Sequence, residues 1–575
     1  MKRGLSILGI AALGALAAAG RAPAAAPAGT KSVELPAVMR RISGKCAMAV
    51  VFRNMQSFSV KINKLARLVS PHASKETVRQ LFKSVGSTRG INFAGSAAWV
   101  LARLPKNVLM AMQMPDVAFI IPVRNAKAFL APLRPQALRR GVERVTLAHE
   151  DEPMYAASLG KFVILSYTPN MGQFTNIKTS LAATMAAPLA RRCAGTDAFF
   201  YVSPVAMEAR TIAYAKLAYT GAQNMGNFNG AAKKNAPKPR VHYSSLARWQ
   251  LGMAIAKTVM NSTPQMVIGM HMGAHGGLTL VQQAIVKKNS ALGRILQRNG
   301  ALPEKPLAGL PVTGNCLVAA AGAFDGSGVA QAVQTINQAM LRKNPKFAKS
   351  GFEVAELPGF LKDIALFRTQ QFELLSPPLA WVVVSKSPHP RRLRRAIEAN
   401  LQTHRQRVVL KSHALVSGGY SFTRARWRFA GSAGPGAPAG SRVGPRRRSE
   451  LAYLGTGHGR EINLLRLKNS AGLSRIIKHL VAGGNALARR MQILSGGQKV
   501  LAHPGFLAFL PLDRWGAASG AATPANALVT GVAPSPVVVS GAEEKTGLRL
   551  QVDVPRRQVH DLIKYFVRNA PTVPF

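Results

Sequence analysis

Repeatedly along this chain a short apolar run ends at a proline or a small polar residue and opens into a segment whose apolar side chains recur at helical spacing. Ala118-Phe119-Ile120-Ile121-Pro122 leads to Ala126, Phe129, Leu130 and Leu133. Phe162 to Leu165, through Ser166-Tyr167-Thr168-Pro169, leads to Met171, Phe174, Ile177 and Leu181. Trp381 to Val384, through Ser385-Lys386-Ser387-Pro388, leads to Leu393, Ile397 and Leu401, and Leu550 to Pro555 leads to Val559, Leu562, Ile563, Phe566 and Val567. Phe199 to Pro204 and Phe506 to Pro511 begin alike; Ala47 to Phe52 and Leu464 to Leu467 are versions without proline, the second with Ser470 as helix N-cap. Proline suits the junction because its fixed φ matches a first helical turn whose amides have no intrahelical acceptor. Residues at i, i+3, i+4 and i+7 then form the stripe that each helix presses onto a sheet.

Hairpins lie between these units. Arg144 to His149 pairs with Met154 to Ser166, and Gln265 to His275 pairs with Leu278 to Val286 across Gly276-Gly277. Strand-helix units mixed with hairpins predict an α+β protein with mixed or antiparallel sheets. A division near residue 300 gives two lobes, 29–300 and 301–575. Gly221 to Arg240, Gly431 to Glu450 and Gly516 to Pro536 break the pattern and read as loops or linkers, 431–450 being the most flexible.

Pro115-Asp116-Val117-Ala118-Phe119-Ile120-Ile121-Pro122-Val123-Arg124-Asn125-Ala126-Lys127-Ala128-Phe129-Leu130, the glycine-interrupted strand Tyr155 to Ser166, and Gly547-Leu548-Arg549-Leu550 leading into Val554-Pro555 together resemble a class of exported bacterial proteins of unknown function, common in planctomycete-like bacteria. The resemblance spans most of the chain after its leader. It implies an α+β envelope protein and carries over no catalytic residues.

The start of the chain points the same way. Met1-Lys2-Arg3, an apolar run from Leu5 to Gly20, and Arg21-Ala22-Pro23-Ala24-Ala25-Ala26-Pro27-Ala28 have the charged, apolar and small-residue regions of a secretory signal peptide over residues 1–28, with cleavage expected after Ala24 or Ala28. The apolar run is shorter than the roughly 20 residues that span a bilayer, and no later segment approaches that length. The expected location is the periplasm or the exterior. Cys46, Cys193 and Cys316 are odd in number and far apart, so at least one thiol stays unpaired; they read as buried small hydrophobes.

Charge narrows the function. In 575 residues, 76 Lys and Arg stand against 23 Asp and Glu, a net charge of +53. Acid depletion produces this imbalance, and the cations are spread along the chain. Spread positive charge suits an acidic medium, expected here as background, or contact with polyanions such as cell-wall polymer, lipid headgroups or nucleic acid. The densest region holds Arg391, Arg392, Arg394 and Arg395 on one helix, then Arg405, Arg407, Arg424, Arg426 and Arg428, then Arg446, Arg447 and Arg448. These are the candidate polyanion-binding residues, with Trp427 and Tyr420 available for stacking.

Catalytic motifs are incomplete. Leu494-Ser495-Gly496-Gly497-Gln498 matches a transporter ATPase signature but lacks the upstream phosphate loop. Gly455-Thr456-Gly457-His458-Gly459-Arg460 has arginine where a dinucleotide fingerprint needs glycine. Ser158-Leu159-Gly160-Lys161 and Lys545-Thr546-Gly547 resemble two boxes of penicillin-recognising enzymes, but Ser158 falls in a strand pair and no S-D-N box intervenes. His271 and His275 among Met266, Met270 and Met272 lie on an alternating, strand-like segment, too extended for one copper ion. His149-Glu150-Asp151-Glu152 reads as a solvated hairpin tip before a cation site. No cofactor or metal is called for. The expectation is an exported cell-envelope protein, a non-catalytic binding or structural component whose basic surface contacts anionic polymers or headgroups. The alternatives are an exported nucleic-acid binder and, behind it, a serine acyl-enzyme of the penicillin-recognising type.

Overall fold

The structure is a computed structural model. It describes residues 34–69, 82, 87–103, 116–138, 141–147, 153–231, 243–273, 277–298, 302, 307, 310, 316–323, 325–375, 380–387, 389–402, 408–428, 449–457, 460–465, 477–478, 504–510, 536–544, 547–556 and 558–559. They fall into two compact units. The first comprises Ala24–Arg294, Ile336–Glu353 and Glu544–Phe575; the second has Ile295–Thr335 and Val354–Glu543 as its body.

Twenty strands are described. They are β1 (Met48–Phe52), β2 (Ala97–Arg103), β3 (Asp116–Pro122), β4 (Gln136–Ala137), β5 (Val142–Val145), β6 (Met154–Leu159), β7 (Phe162–Ser166), β8 (Ala198–Val202), β9 (Gln265–Met272) and β10 (Leu278–Ile285). Then follow β11 (Cys316–Ala323), β12 (Thr369–Leu375), β13 (Ala380–Lys386), β14 (Val408–Ser417), β15 (Tyr420–Arg428), β16 (Ser449–Gly457), β17 (Arg460–Leu465), β18 (Phe506–Leu510), β19 (Val537–Glu544) and β20 (Gly547–Val554). The helices are α1 (Met55–Val69), α2 (Ala126–Leu130), α3 (Gly172–Thr175), α4 (Leu181–Thr184), α5 (Ala187–Ala194), α6 (Pro204–Ala231), α7 (Tyr243–Ser262), α8 (Ala291–Arg298), α9 (Gly326–Lys343), α10 (Leu357–Ile364) and α11 (Pro390–Gln402).

In the first unit the antiparallel pairings run β4-β5-β6-β7-β3-β2-β1-β8-β9-β10-β20. In the second they run β14-β15-β16-β17-β13-β12-β11-β18-β19, again antiparallel. The chain is therefore α+β, and every one of these pairings is antiparallel. Adding ten to each label from β4 to β9 in the first order reproduces the second. The helices repeat too: α1 follows β1 as α9 follows β11, and α2 follows β3 as α11 follows β13. One supersecondary plan thus occurs twice. The copies differ most at one edge, where β4 and β5 have 2 and 4 residues while β14 and β15 have 10 and 9. The helix before that edge has 5 residues in α2 and 13 in α11.

Both faces of the first unit's sheet are covered, which is why its strands read as nearly continuous apolar runs. Successive strand side chains point to opposite faces. Phe162 and Ile164 of β7 pack with Phe174, Leu181 and Leu189 from α3, α4 and α5. Val163 and Leu165 pack with Met55, Phe129 and Leu130 from α1 and α2. The second unit's core joins Ala321, Val382, Val384, Tyr420, Phe422, Tyr453 and Phe509 on one face.

Three expectations change. The segment after Phe162 to Leu165 is two short helices, because Asn176 leaves helical φ and ψ and Ser180 caps α4 by accepting from the Ala183 amide, so Ile177 lies in neither. Tyr155 to Ser166 is the hairpin β6–β7, turned at Gly160 with φ of +60°, a conformation glycine adopts without a Cβ penalty. The Gly221 stretch continues α6 as far as Ala231. Ahead of that stretch, Tyr219 stacks on Trp249 at 4.5 Å and Lys257 pairs with Glu208 at 3.1 Å, fixing α6 along α7. Residues 431–448 and 516–535 lie outside the described residues. Among the described residues no helix is long and apolar enough to cross a membrane.

Candidate polyanion-binding surface

α11 opens at Pro390 after β13 and buries Leu393 completely. The helical period then separates its four arginines. Arg391, Arg392 and Arg395 are exposed. Arg394 turns inward, donating to Glu398 Oε1 at 2.8 Å one turn along, to Thr423 Oγ1 at 2.9 Å, to the Ser421 carbonyl at 3.1 Å and to Thr456 Oγ1 at 3.4 Å. Its guanidinium clamps α11 onto β15 and β16, with its charge matched by Glu398. Arg394 is structural, and three arginines of the helix remain at the surface.

On β15, Arg424 and Arg426 are exposed. Tyr420 and Phe422 belong to the core face, and the period of two puts Arg424 and Arg426 on that same face beyond the core. Ser421 and Thr423, which meet Arg394, occupy the opposite face under α11. Exposed Lys411 of β14 stands opposite Arg424 in register. The two groups of cations therefore lie on opposite faces of the β14–β15 edge, and the structure does not merge them into one flat patch. Arg428 ends β15 opposite Ser449. Arg405, Arg407, Arg446, Arg447 and Arg448 lie outside the described residues. Tyr420 is 2% exposed, 6.2 Å from the Phe422 ring, and burial raises its phenol pKa; a ring so enclosed is unavailable for stacking.

Three other described carboxylates pair with cations away from this edge. Asp197 meets Lys61 at 2.6 Å, Glu208 meets Lys257, and Asp325 meets Arg368 at 3.1 Å.

The remaining motifs take plain structural places. Ser158 sits in β6 opposite Val163, with Lys161 in the turn beyond, and not at the opening of a helix as an acyl-serine would need. Cys46 and Cys193 are free thiols; burial pushes Cys46 up to about 12 and Cys193 up as well, so neither is poised as a nucleophile. Cys316 opens β11. His271 lies in β9, and among the described residues no cluster of three or more His, Cys, Asp or Glu is arranged to hold a metal ion. His275, His149 to Glu152, Lys545-Thr546 and Leu494 to Gln498 lie outside the described residues.

Sequence reasoning missed a second grouping. Asp197, just ahead of β8, accepts from Lys61 Nζ of α1 and from the Met272 amide at 2.8 Å, and lies 3.5 Å from His271 Nδ1. The only sequence signal for it is a lone carboxylate heading a strand in an acid-poor chain. No family model, curated protein or solved structure matches this chain.

Proposed function

We propose that this is an exported protein of the cell envelope that binds anionic polymers or headgroups through a basic surface, without catalysis. One observation carries the reading: with 76 cations and 23 acids, a net of +53 cannot be neutralised inside the chain whatever the pairing. Support for a preferred region comes from the repeated fold. Only the second copy extends the helix and hairpin at its edge, and that extension bears Arg391, Arg392, Arg395, Lys411 and Arg424. The leader-like residues 1–28 support export.

Reversing Arg391, Arg392 and Arg395 to glutamate tests the region. Each lies on the exposed side of α11, so folding is expected to persist while heparin affinity at physiological salt falls about tenfold or more. Unchanged affinity in the folded triple variant would remove α11 from the reading. A continuous groove preferring duplex DNA over heparin and anionic vesicles would favour the nucleic-acid alternative.

A further inference from the structure

The stripe of α1 that faces the end of β9 mixes cations and aliphatic groups in a way the fold does not require. Val60, Lys61, Lys64 and Leu65, with Met272 and Gly273, line a cavity of about 270 Å³. This is just below the roughly 300–1,000 Å³ of sites that hold drug-sized ligands. Its walls are mostly apolar, and Val60 is 51% exposed at its side.

The charges around it are ordered. Asp197 Oδ1 takes Lys61 Nζ at 2.6 Å, and Oδ2 takes the Met272 amide at 2.8 Å with His271 Nδ1 at 3.5 Å. Asp197 fixes Lys61 at the cavity and ties α1 to the end of β9. Among the described residues Lys61 uses one of its three donors on this bond, leaving donors for a second anion. Lys64, one turn on, is exposed at the same cavity. The equivalent helix in the repeated plan, α9, carries basic residues only at Arg342 and Lys343 in its last turn. The lysines at this cavity are therefore a feature of the first unit and not of the repeated plan.

We propose that this cavity binds a small amphiphilic anion, a carboxylate or phosphate on a short aliphatic chain. The chain lies against Val60, Leu65 and Met272, and the head group lies between Lys61 and Lys64. Small volume and apolar walls exclude a polymer, and the paired lysines set the sign of the head group. The site stands apart from the arginine surface and does not depend on it.

Calorimetric titration of the full chain at physiological salt with octanoate, 1-octanol and acetate tests both halves of the ligand. Octanoate is expected to saturate one site, with octanol and acetate each about tenfold weaker or worse. Lys64→Met, on an exposed position, should weaken octanoate by about tenfold and leave heparin binding in place, whereas Arg391→Glu should leave octanoate unchanged. Octyl phosphate in place of octanoate distinguishes the two head groups. Octanol binding as tightly as octanoate, no saturable octanoate site, or octanoate binding undiminished in Lys64→Met would each overturn the proposal.

Discussion

Arg394 and Arg395 are neighbours in sequence and opposites in environment. Arg394 is held by Glu398, Thr423, Thr456 and the Ser421 carbonyl, while Arg395 faces water. Arg394→Met should leave the largely enclosed Glu398 without its cation and cost about 2 kcal/mol in urea unfolding. Arg395→Met should stay within about 0.5 kcal/mol. Equal effects would contradict the division of roles. Asp363, near the end of α10, offers a test in pH. Burial raises its carboxyl pKa above 3.8 more than Lys362 lowers it, and the C-terminal end of a helix disfavours negative charge. A folded pKa above the unfolded one gives a contribution present below 3.8 and lost as pH rises through the raised value. Asp363→Asn should therefore raise the thermal midpoint at neutral pH and converge with the parent below pH 3.8; a lower midpoint at neutral pH would refute it. The burial of Leu393 was legible from the helical period. The capture of Arg394 was not, because three of its four acceptors lie 27 to 62 residues away on β15 and β16.

Elements were legible where local chemistry agrees with the fold. β9 and β10 alternate and meet near Gly277, and Pro204 opens a helix after a strand. Boundaries were not legible: α3 ends at Asn176, whose φ of −98° and ψ of 64° leave the helix, and α6 runs through Gly221 to Ala231. Backbone proximity is equally invisible in sequence. A Cβ on Gly547 would lie 1.8 Å from the Ala284 carbonyl oxygen across the β10–β20 pairing, whereas a Cβ on Gly252 of α7 meets nothing within 4 Å. Gly547→Ala should cost about 3 kcal/mol. Gly252→Ala should stabilise by up to about 1 kcal/mol through helix propensity. Chemical denaturation of both variants checks the pair, and a neutral Gly547→Ala would contradict the β10–β20 register.

At the scale of the whole molecule, a nine-strand antiparallel order occurs twice. The local strand-helix pattern hinted at repetition, but divergent side chains hid the larger period: buried Phe162-Val163-Ile164-Leu165 of β7 corresponds to Arg460-Glu461-Ile462-Asn463 of β17. The duplication also gives an internal comparison. Where the first copy has a short helix and a stub of hairpin, the second has an arginine-bearing helix and two long strands, and it is on this extension that the proposed anion contacts are placed. The most direct test is the salt dependence of heparin binding by the full chain and by the Arg391→Glu, Arg392→Glu, Arg395→Glu variant. Steep log-log dependence is expected for the parent and a slope smaller by about two to three for the variant, as released counterions follow the lost contacts. Parallel slopes, or parent binding indifferent to salt, would contradict it.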